Sequence, residues 1–266
     1  MKIVLFGGTG MLGRYVLEVL KDKYDITCIL RDDYDIETDT WLKLEDILTN
    51  NLQKNDVIIN CAGIIPQKYK KDNYRTYIRV NTLFPHKLNE ISKRYSYKFI
   101  HITTDCVYDG SNGNYSINDA HTSTDIYGTS KSLGEPEDAT IIRTSIIGEE
   151  LSGKKSLIEW IKSNKNGNIK GYTNHFWNGV TCLELAKYIK NVIDSGGFWN
   201  GIKHIFSPNV VTKYELCCYI NEIYDLNINI EKYEDSISKN MTLCGKKTIE
   251  NSIYDQLKML VNFKTE

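Results

Sequence analysis

The 266 residues carry 33 Lys and Arg against 34 Asp and Glu, a formal net charge of −1. That length allows one large domain, or one domain with a smaller lobe, around a sizeable core. A near-neutral chain with no basic stripe and no charged tail excludes nucleic acid and polyelectrolyte partners. The seven cysteines include no Cys-x-x-Cys pair and no His/Cys cluster, which argues against a metal site and a disulfide framework. No apolar run approaches a membrane span, and Met1 leads straight into an apolar segment; a cytoplasmic chain without signal peptide or membrane partner is expected.

Lys2–Phe6 is a short apolar run and predicts a buried parallel strand. Gly7-Gly8-Thr9-Gly10-Met11-Leu12-Gly13 follows, and Leu12, Val16, Val19 and Leu20 then recur at helical spacing. Strand, glycine turn and helix together form the context of a dinucleotide fingerprint. Gly7 allows the tight turn, Gly10 lets the backbone approach a pyrophosphate at the helix N-terminus, and Gly13 lets helix and strand pack closely. Thr9, Met11 and Leu12 join them as expected cofactor contacts. Asp25–Leu30 reads as the second strand, with Arg31 directly after it. An arginine there accommodates a 2′-phosphate, which favours NADP(H), while Asp32 and Asp33 pull toward NAD(H).

Asp56–Gly63 is a third strand running into Cys61, Ala62 and Gly63, small residues that leave room for a cofactor. Tyr74–Arg94 looks helical with a Pro85-containing turn, and Lys98–Thr103 reads as a buried strand that ends in Thr104, Asp105 and Cys106. Tyr127 and Lys131 stand four apart, one turn from each other on one helix face. A lysine ammonium beside a phenol lowers the phenol pKa, and a phenol tuned toward neutrality exchanges a proton with a carbonyl or alcohol oxygen. Thr140–Thr144 is a further strand. The alternation then loosens into a helix at Leu157–Lys162, a polar aromatic stretch at Tyr172–Thr181, a helix at Leu183–Ile193, a strand at Gly201–Ser207 and a helix at Tyr214–Tyr224. The expected fold is α/β: a Rossmann-like doubly wound parallel sheet over 1–150 and roughly 183–200, with a smaller C-terminal substrate-binding lobe from 151–182 and 201–266.

Seven segments together resemble the extended short-chain dehydrogenase/reductase family, in its dTDP-4-dehydrorhamnose reductase branch. They are Gly7–Gly13, Leu30–Ile36, Asp56–Ala62, Val80-Asn81, Thr103–Gly110, Tyr127–Glu135 and Ile142–Ser145. The resemblance implies NADP(H) as cofactor, with Asn81, Thr103 and Lys131 among its contacts, and a nucleoside diphosphate sugar as substrate. Tyr127 would protonate the C4 oxygen of a 4-keto-6-deoxy sugar. Lys131 would lower the Tyr127 pKa and hold the nicotinamide ribose, and Thr104 would polarise the keto oxygen. Asp105, Cys106, Trp177 and Lys239 complete the expected substrate contacts. Trp177 either stacks on the base or fills the lobe's core. Gly201–Leu216 resembles a strand-to-helix segment near the sugar nucleotide in relatives, and Ser238-Lys239-Asn240 resembles an Arg-Pro or Arg-Ser stretch near the substrate, with lysine in place of the bidentate arginine.

In the family, sugar 4,6-dehydratases carry Asp-Glu after the threonine, and rhamnose-forming reductases carry tyrosine where this chain has Cys106. A cysteine there resembles GDP-fucose synthase and the enzymes that both epimerise and reduce UDP-linked sugars, in which the thiol moves a proton beside the ketone. Cys106 either does this or packs against the sugar. Epimerisation at C3 or C5 also needs a second acid/base, for which Lys154, Lys155, Lys162 and His175 are candidates. Glu135 is expected in packing or a salt link. Two other functions stay open, an NADP-binding regulatory subunit and an NAD-dependent sugar 4-epimerase, and so does a homodimer.

Overall fold

The computed structural model describes residues 1–67, 73–150 and 156–263. The chain opens with β1 (Lys2–Phe6), α1 (Met11–Leu20), β2 (Asp25–Ile29), α2 (Trp41–Asn51) and β3 (Val57–Asn60). A short α3 (Tyr74–Tyr77) passes through a π-helical stretch, Ile78–Leu83, into α4 (Phe84–Tyr95). The segment expected to be helical over Tyr74–Arg94, with a turn at Pro85, is helical in three pieces that continue through Pro85. Pro85 has no N–H for the carbonyl of Asn81, four residues back, so regular α-helical bonding is interrupted there. Then come β4 (Lys98–Thr104), α5 (Ile126–Ser132), β5 (Thr140–Thr144), β6 (Ile146–Ile147), α6 (Leu157–Lys162), β7 (Asn168–Tyr172), β8 (His175–Trp177) and β9 (Val180–Thr181). The last part holds α7 (Cys182–Ser195), β10 (Gly201–His204), β11 (Val211–Thr212), α8 (Lys213–Ile223), β12 (Asn229–Tyr233), β13 (Lys239–Asn240) and α9 (Ile253–Val261).

Six parallel strands form the main sheet in the order β10-β5-β4-β3-β1-β2. From Ile3 to Phe6 every β1 side chain is buried, as a central strand covered on both faces requires. Ile3 and Leu5 meet Leu12, Val16 and Leu20 of α1 and Ile189 of α7 on one face. Val4 and Phe6 meet Leu44 and Leu48 of α2 and Phe84, Leu88 and Ile91 of α4 on the other. Burial of each such aliphatic side chain contributes about 1.5–3 kcal/mol. The sequence reading missed α2 because only Leu44 and Leu48 of its stripe are buried, too thin a pattern to register. It also set Gly201 as the start of the lobe. The structure corrects this: Gly201–His204 pairs with Thr140–Arg143 as the sheet's edge strand.

The remaining strands form a β11-β8-β13 sheet, a β12-β7 pair and a β6-β9 pair. The end of β13 and the segment after it are stitched back to the loop after β4. Asn240 N donates to Gly110 O at 2.7 Å, Tyr115 N to Thr242 O at 2.9 Å and Cys244 N to Tyr115 O at 2.8 Å. In the main sheet the chain leaves β1 for β2 on one side and returns to β3 on the other. The crevice at the carboxyl ends of β1 and β3 is the switch point at which open α/β sheets bind ligands.

Candidate active site

At that switch point Gly7 adopts φ +78°, and a Cβ on it would lie 2.6 Å from Ala62 N, so the turn after β1 and the loop after β3 are in contact. A Cβ on Gly13 would lie 2.0 Å from Gly7 O, which fixes how closely α1 approaches the turn. Gly10 caps α1 without a side-chain hydrogen bond, and no acidic residue follows in the first turn. The positive end of α1 is left open to an anion. Gly10, Met11 and Leu12 line a cavity of about 630 Å³ that extends past the loops after β3 and β4, along α5, to the lobe. Cys61, Ala62, Gly63 and Thr103 line it as well. The hydroxyl of Thr103 is buried without a hydrogen-bond partner among the described residues, and burial pushes the Cys61 thiol up to about 12. A glycine cradle at a helix N-terminus and an unsatisfied hydroxyl beside it fit a dinucleotide cofactor.

Asp125 caps α5 by accepting from Gly128 N at 2.9 Å. This places Tyr127 in the first turn and Lys131 one turn later, both on the cavity wall. Lys131 is buried, and its ammonium donates to Ile102 O at 2.9 Å. Desolvation brings its pKa down to about 8. The expectation that Lys131 lowers the Tyr127 pKa is not met in this structure. Burial, then the neighbouring Cys106, raise the phenol pKa, while the Thr104 hydroxyl acts in the opposite direction. The Thr104 hydroxyl donates to Asp105 Oδ1 at 3.1 Å and accepts from Cys106 N at 3.2 Å. Cys106 Sγ lies 3.6 Å from the same carboxylate oxygen. Burial and Asp105 push the thiol up, so the site favours the protonated form. Burial also raises the carboxyl pKa of Asp105.

Asn81 is buried and acts through its neighbours. Its amide accepts from Ile64 N at 3.0 Å and donates to Ile64 O and to Ser130 Oγ, each at 3.1 Å. It thereby clamps the loop after β3 to α5. It does not line the cavity, and neither do Gly7, Gly13 or the exposed Thr9; the glycines act by shaping the turn. Behind β5, fully buried Arg143 makes a two-pronged bond to Glu135, at 3.1 and 2.6 Å, the salt link expected for that glutamate. Trp177 is buried, as a residue filling the lobe's core is, and it also lines the cavity.

Four expectations land elsewhere. The Arg31 side chain is 64% exposed and already pairs with Asp35 at 3.2 Å and Glu37 at 3.1 Å. Lys239 is exposed on β13, away from the cavity lining. Lys162 pairs with Glu149 and Glu159, and His175 with Asp235 at 3.2 Å, and neither lines the cavity. Lys154 and Lys155 lie outside the described residues. The sequence reading did not single out Lys213, which does line the cavity; the residue lies within Gly201–Leu216, the segment set near the sugar nucleotide by resemblance, and directly after a capping Thr212 with Glu215 three residues on.

Residues 1–230 match the family model of the RmlD substrate binding domain. Among curated relatives, methionine adenosyltransferase 2 subunit beta of Danio rerio is 26% identical over 247 residues, 85% of this chain and 74% of that protein. The dTDP-4-keto-6-deoxy-D-glucose reductase of Streptomyces niveus is 26% identical over 221 residues, 79% of this chain and 74% of that protein. Among solved structures, the dTDP-4-dehydrorhamnose reductase of Bacillus anthracis in complex with NADP superposes with a TM-score of 0.84 at 18% identity, covering 98% of this chain and 99% of that one. The glycine turn, the paired Tyr127 and Lys131, the sheet order and the match across residues 1–230 agree, and the chain belongs to the RmlD substrate binding domain family.

Proposed function

We propose that the chain is an NADPH-dependent reductase of the C4 keto group of a nucleotide-linked 4-keto-6-deoxy sugar. The observation that carries this reading is one cavity that brings Thr104, Tyr127 and Lys131 together with the open N-terminus of α1. The NADP held by the Bacillus anthracis structure and the reductase activity named for the Streptomyces niveus relative support it. The α1 N-terminus, Gly63, Thr103 and Lys131 would hold the cofactor, which when bound supplies the hydride. Thr104 turns its hydroxyl from Asp105 to the keto oxygen and holds it. Tyr127, kept protonated by burial, gives its proton to that oxygen, completing the alcohol. Lys131, its ammonium held on Ile102 O one turn along the same helix face, would hold the nicotinamide ribose. Asn81 and Asp125 keep loop and helix in register for this.

Cys106 lines the same cavity, which supports a part in epimerisation at C3 or C5 before reduction: a base on the opposite face of the sugar would take the proton from the carbon beside the ketone, and the protonated thiol would return one to the other face. Product formed in deuterated water decides this point: deuterium at C3 or C5 establishes it, and deuterium at neither leaves a plain reductase. A regulatory reading draws on the likeness to methionine adenosyltransferase 2 subunit beta. The test of the main proposal is NADPH oxidation against a panel of dTDP-, UDP- and GDP-linked 4-keto-6-deoxy sugars. Oxidation is expected with one of them and not without sugar; no oxidation across the panel overturns the proposal.

A further inference from the structure

We infer that Lys213, rather than Lys239, grips the diphosphate of the sugar nucleotide. The inference rests on the sugar-nucleotide reading above and names a residue within it. Lys213 opens α8 directly after Thr212. Thr212 accepts from Glu215 N at 3.1 Å, and its own N–H donates to Glu215 Oε2 at 2.7 Å, so a reciprocal cap fixes the start of the helix. The strand before it pairs with β8, Val211 opposite Trp177. The lysine reaches across that indole, its Nζ 4.9 Å from the ring centroid. Backbone and stem are thus both held, and the ammonium is presented on the cavity wall that also carries Asp105 and Cys106.

Among the described residues this ammonium makes no hydrogen bond and no ion pair. The other cations nearby are spent: Lys131 on Ile102 O, Arg143 on Glu135 and Lys162 on Glu149. The neighbouring carboxylate of Asp105 already receives Thr104 and Cys106. Burial lowers the Lys213 pKa, and the Asp105 carboxylate acts in the opposite direction without reversing it. A desolvated ammonium is costly until an anion meets it. In a nucleoside diphosphate sugar the anion is the diphosphate on C1, across the ring from C4. With the C4 oxygen at Thr104 and Tyr127, C1 points away from α1 and toward the lobe, where Lys213 stands. The cofactor's own diphosphate belongs to α1 at the opposite end. A point charge with three rotatable donors suits a phosphate that needs no planar fork. Lys239, by contrast, lies on β13 with its N–H donated to Asn174 O at 3.1 Å and is absent from the cavity wall.

The experiment uses the full chain saturated with NADP⁺, so that only the substrate end is open. It is titrated calorimetrically with dTDP, UDP and GDP, then with the matching monophosphates and nucleosides. One diphosphate is expected to bind. Lys213→Met should weaken it by roughly tenfold or more, down to the level of its monophosphate, and Lys213→Arg should restore most of the loss. Unchanged NADP⁺ affinity in Lys213→Met shows that the variant is folded. Equal diphosphate affinity in wild type and Lys213→Met overturns the assignment. So does Lys239→Met losing the affinity that Lys213→Met keeps. Wild type binding none of the three diphosphates removes the sugar-nucleotide reading itself, and the inference with it.

Discussion

The two ends of the cavity are built from different materials. The α1 end is made of backbone: a glycine turn, a helix terminus and the small residues after β3, most of it within one short segment. The lobe end is made of side chains, Cys106, Trp177, Lys213 and Leu216, delivered by elements far apart in the chain. Backbone can approach a ligand only where Cβ atoms are missing, so the first end imposes a spacing on the sequence. The second end imposes none, because any element that reaches the cavity can supply a side chain.

Tyr127, where the two ends meet, gives the largest expected effect. Tyr127→Phe should lower turnover by about 10²–10⁴-fold with cofactor affinity retained; steady-state rates and a cofactor titration check this. A chain that only regulates a partner would be indifferent to the change. Next comes the Arg143–Glu135 pair behind β5. Glu135→Gln leaves a fully buried guanidinium without its carboxylate and should cost about 3–5 kcal/mol, read from chemical denaturation. Gly13→Ala tests the backbone-built end alone. Its Cβ must displace Gly7 O, which should cost about 1–3 kcal/mol and abolish NADP(H) binding while the lobe end still takes a nucleoside diphosphate.

A pH titration of stability probes the same Arg143 cluster more gently. His204 Nε2 lies 3.2 Å from Arg143 Nη1, and burial, then that charge, hold the imidazole at about 4. The folded protein keeps His204 neutral, while the unfolded chain takes up a proton below about 6.5. The stability is therefore complete above that pH and falls as pH drops toward about 4, by at most about 1.4 kcal/mol per pH unit. Thermal midpoints across that window, compared with those of His204→Asn, isolate the contribution. The smallest effect is expected at Arg31. The residue is exposed and already shared between Asp35 and Glu37, so Arg31→Ala should shift the NADPH-to-NADH affinity ratio by only about 0.5–1 kcal/mol.

How much could be read from the residues follows the same division. The glycine turn, the strands at Lys2–Phe6 and Thr140–Thr144, and the Tyr127–Lys131 pair were legible because each is local: a period, a spacing or a cap. The edge strand Gly201–His204 was assigned to the lobe because its partner, β5, lies some sixty residues earlier, and strand pairing leaves no local mark. Lys239 was named by likeness to a motif, and Lys213 was not singled out. Which of two lysines faces the cavity depends on how β8 and β11 pair, and no window around either residue contains that. The raised Tyr127 pKa was hidden for a related reason: four-residue spacing reveals the lysine's proximity but not that its ammonium is committed to Ile102.

The seam between the segment after β13 and the loop after β4 bears on how the chain acquires its shape during synthesis. Asn114 N donates to the hydroxyl of Thr242 at 2.7 Å, across 128 positions of sequence. The loop that carries Cys106 outward therefore leaves the ribosome well before the strap that fastens it. The sheet can assemble early from its nearer strands, but this loop must wait for distant residues before it settles. An interval results in which the glycine turn is formed and the catalytic rim is still loose. Slowing translation between the codons for residues 114 and 242 would lengthen that interval.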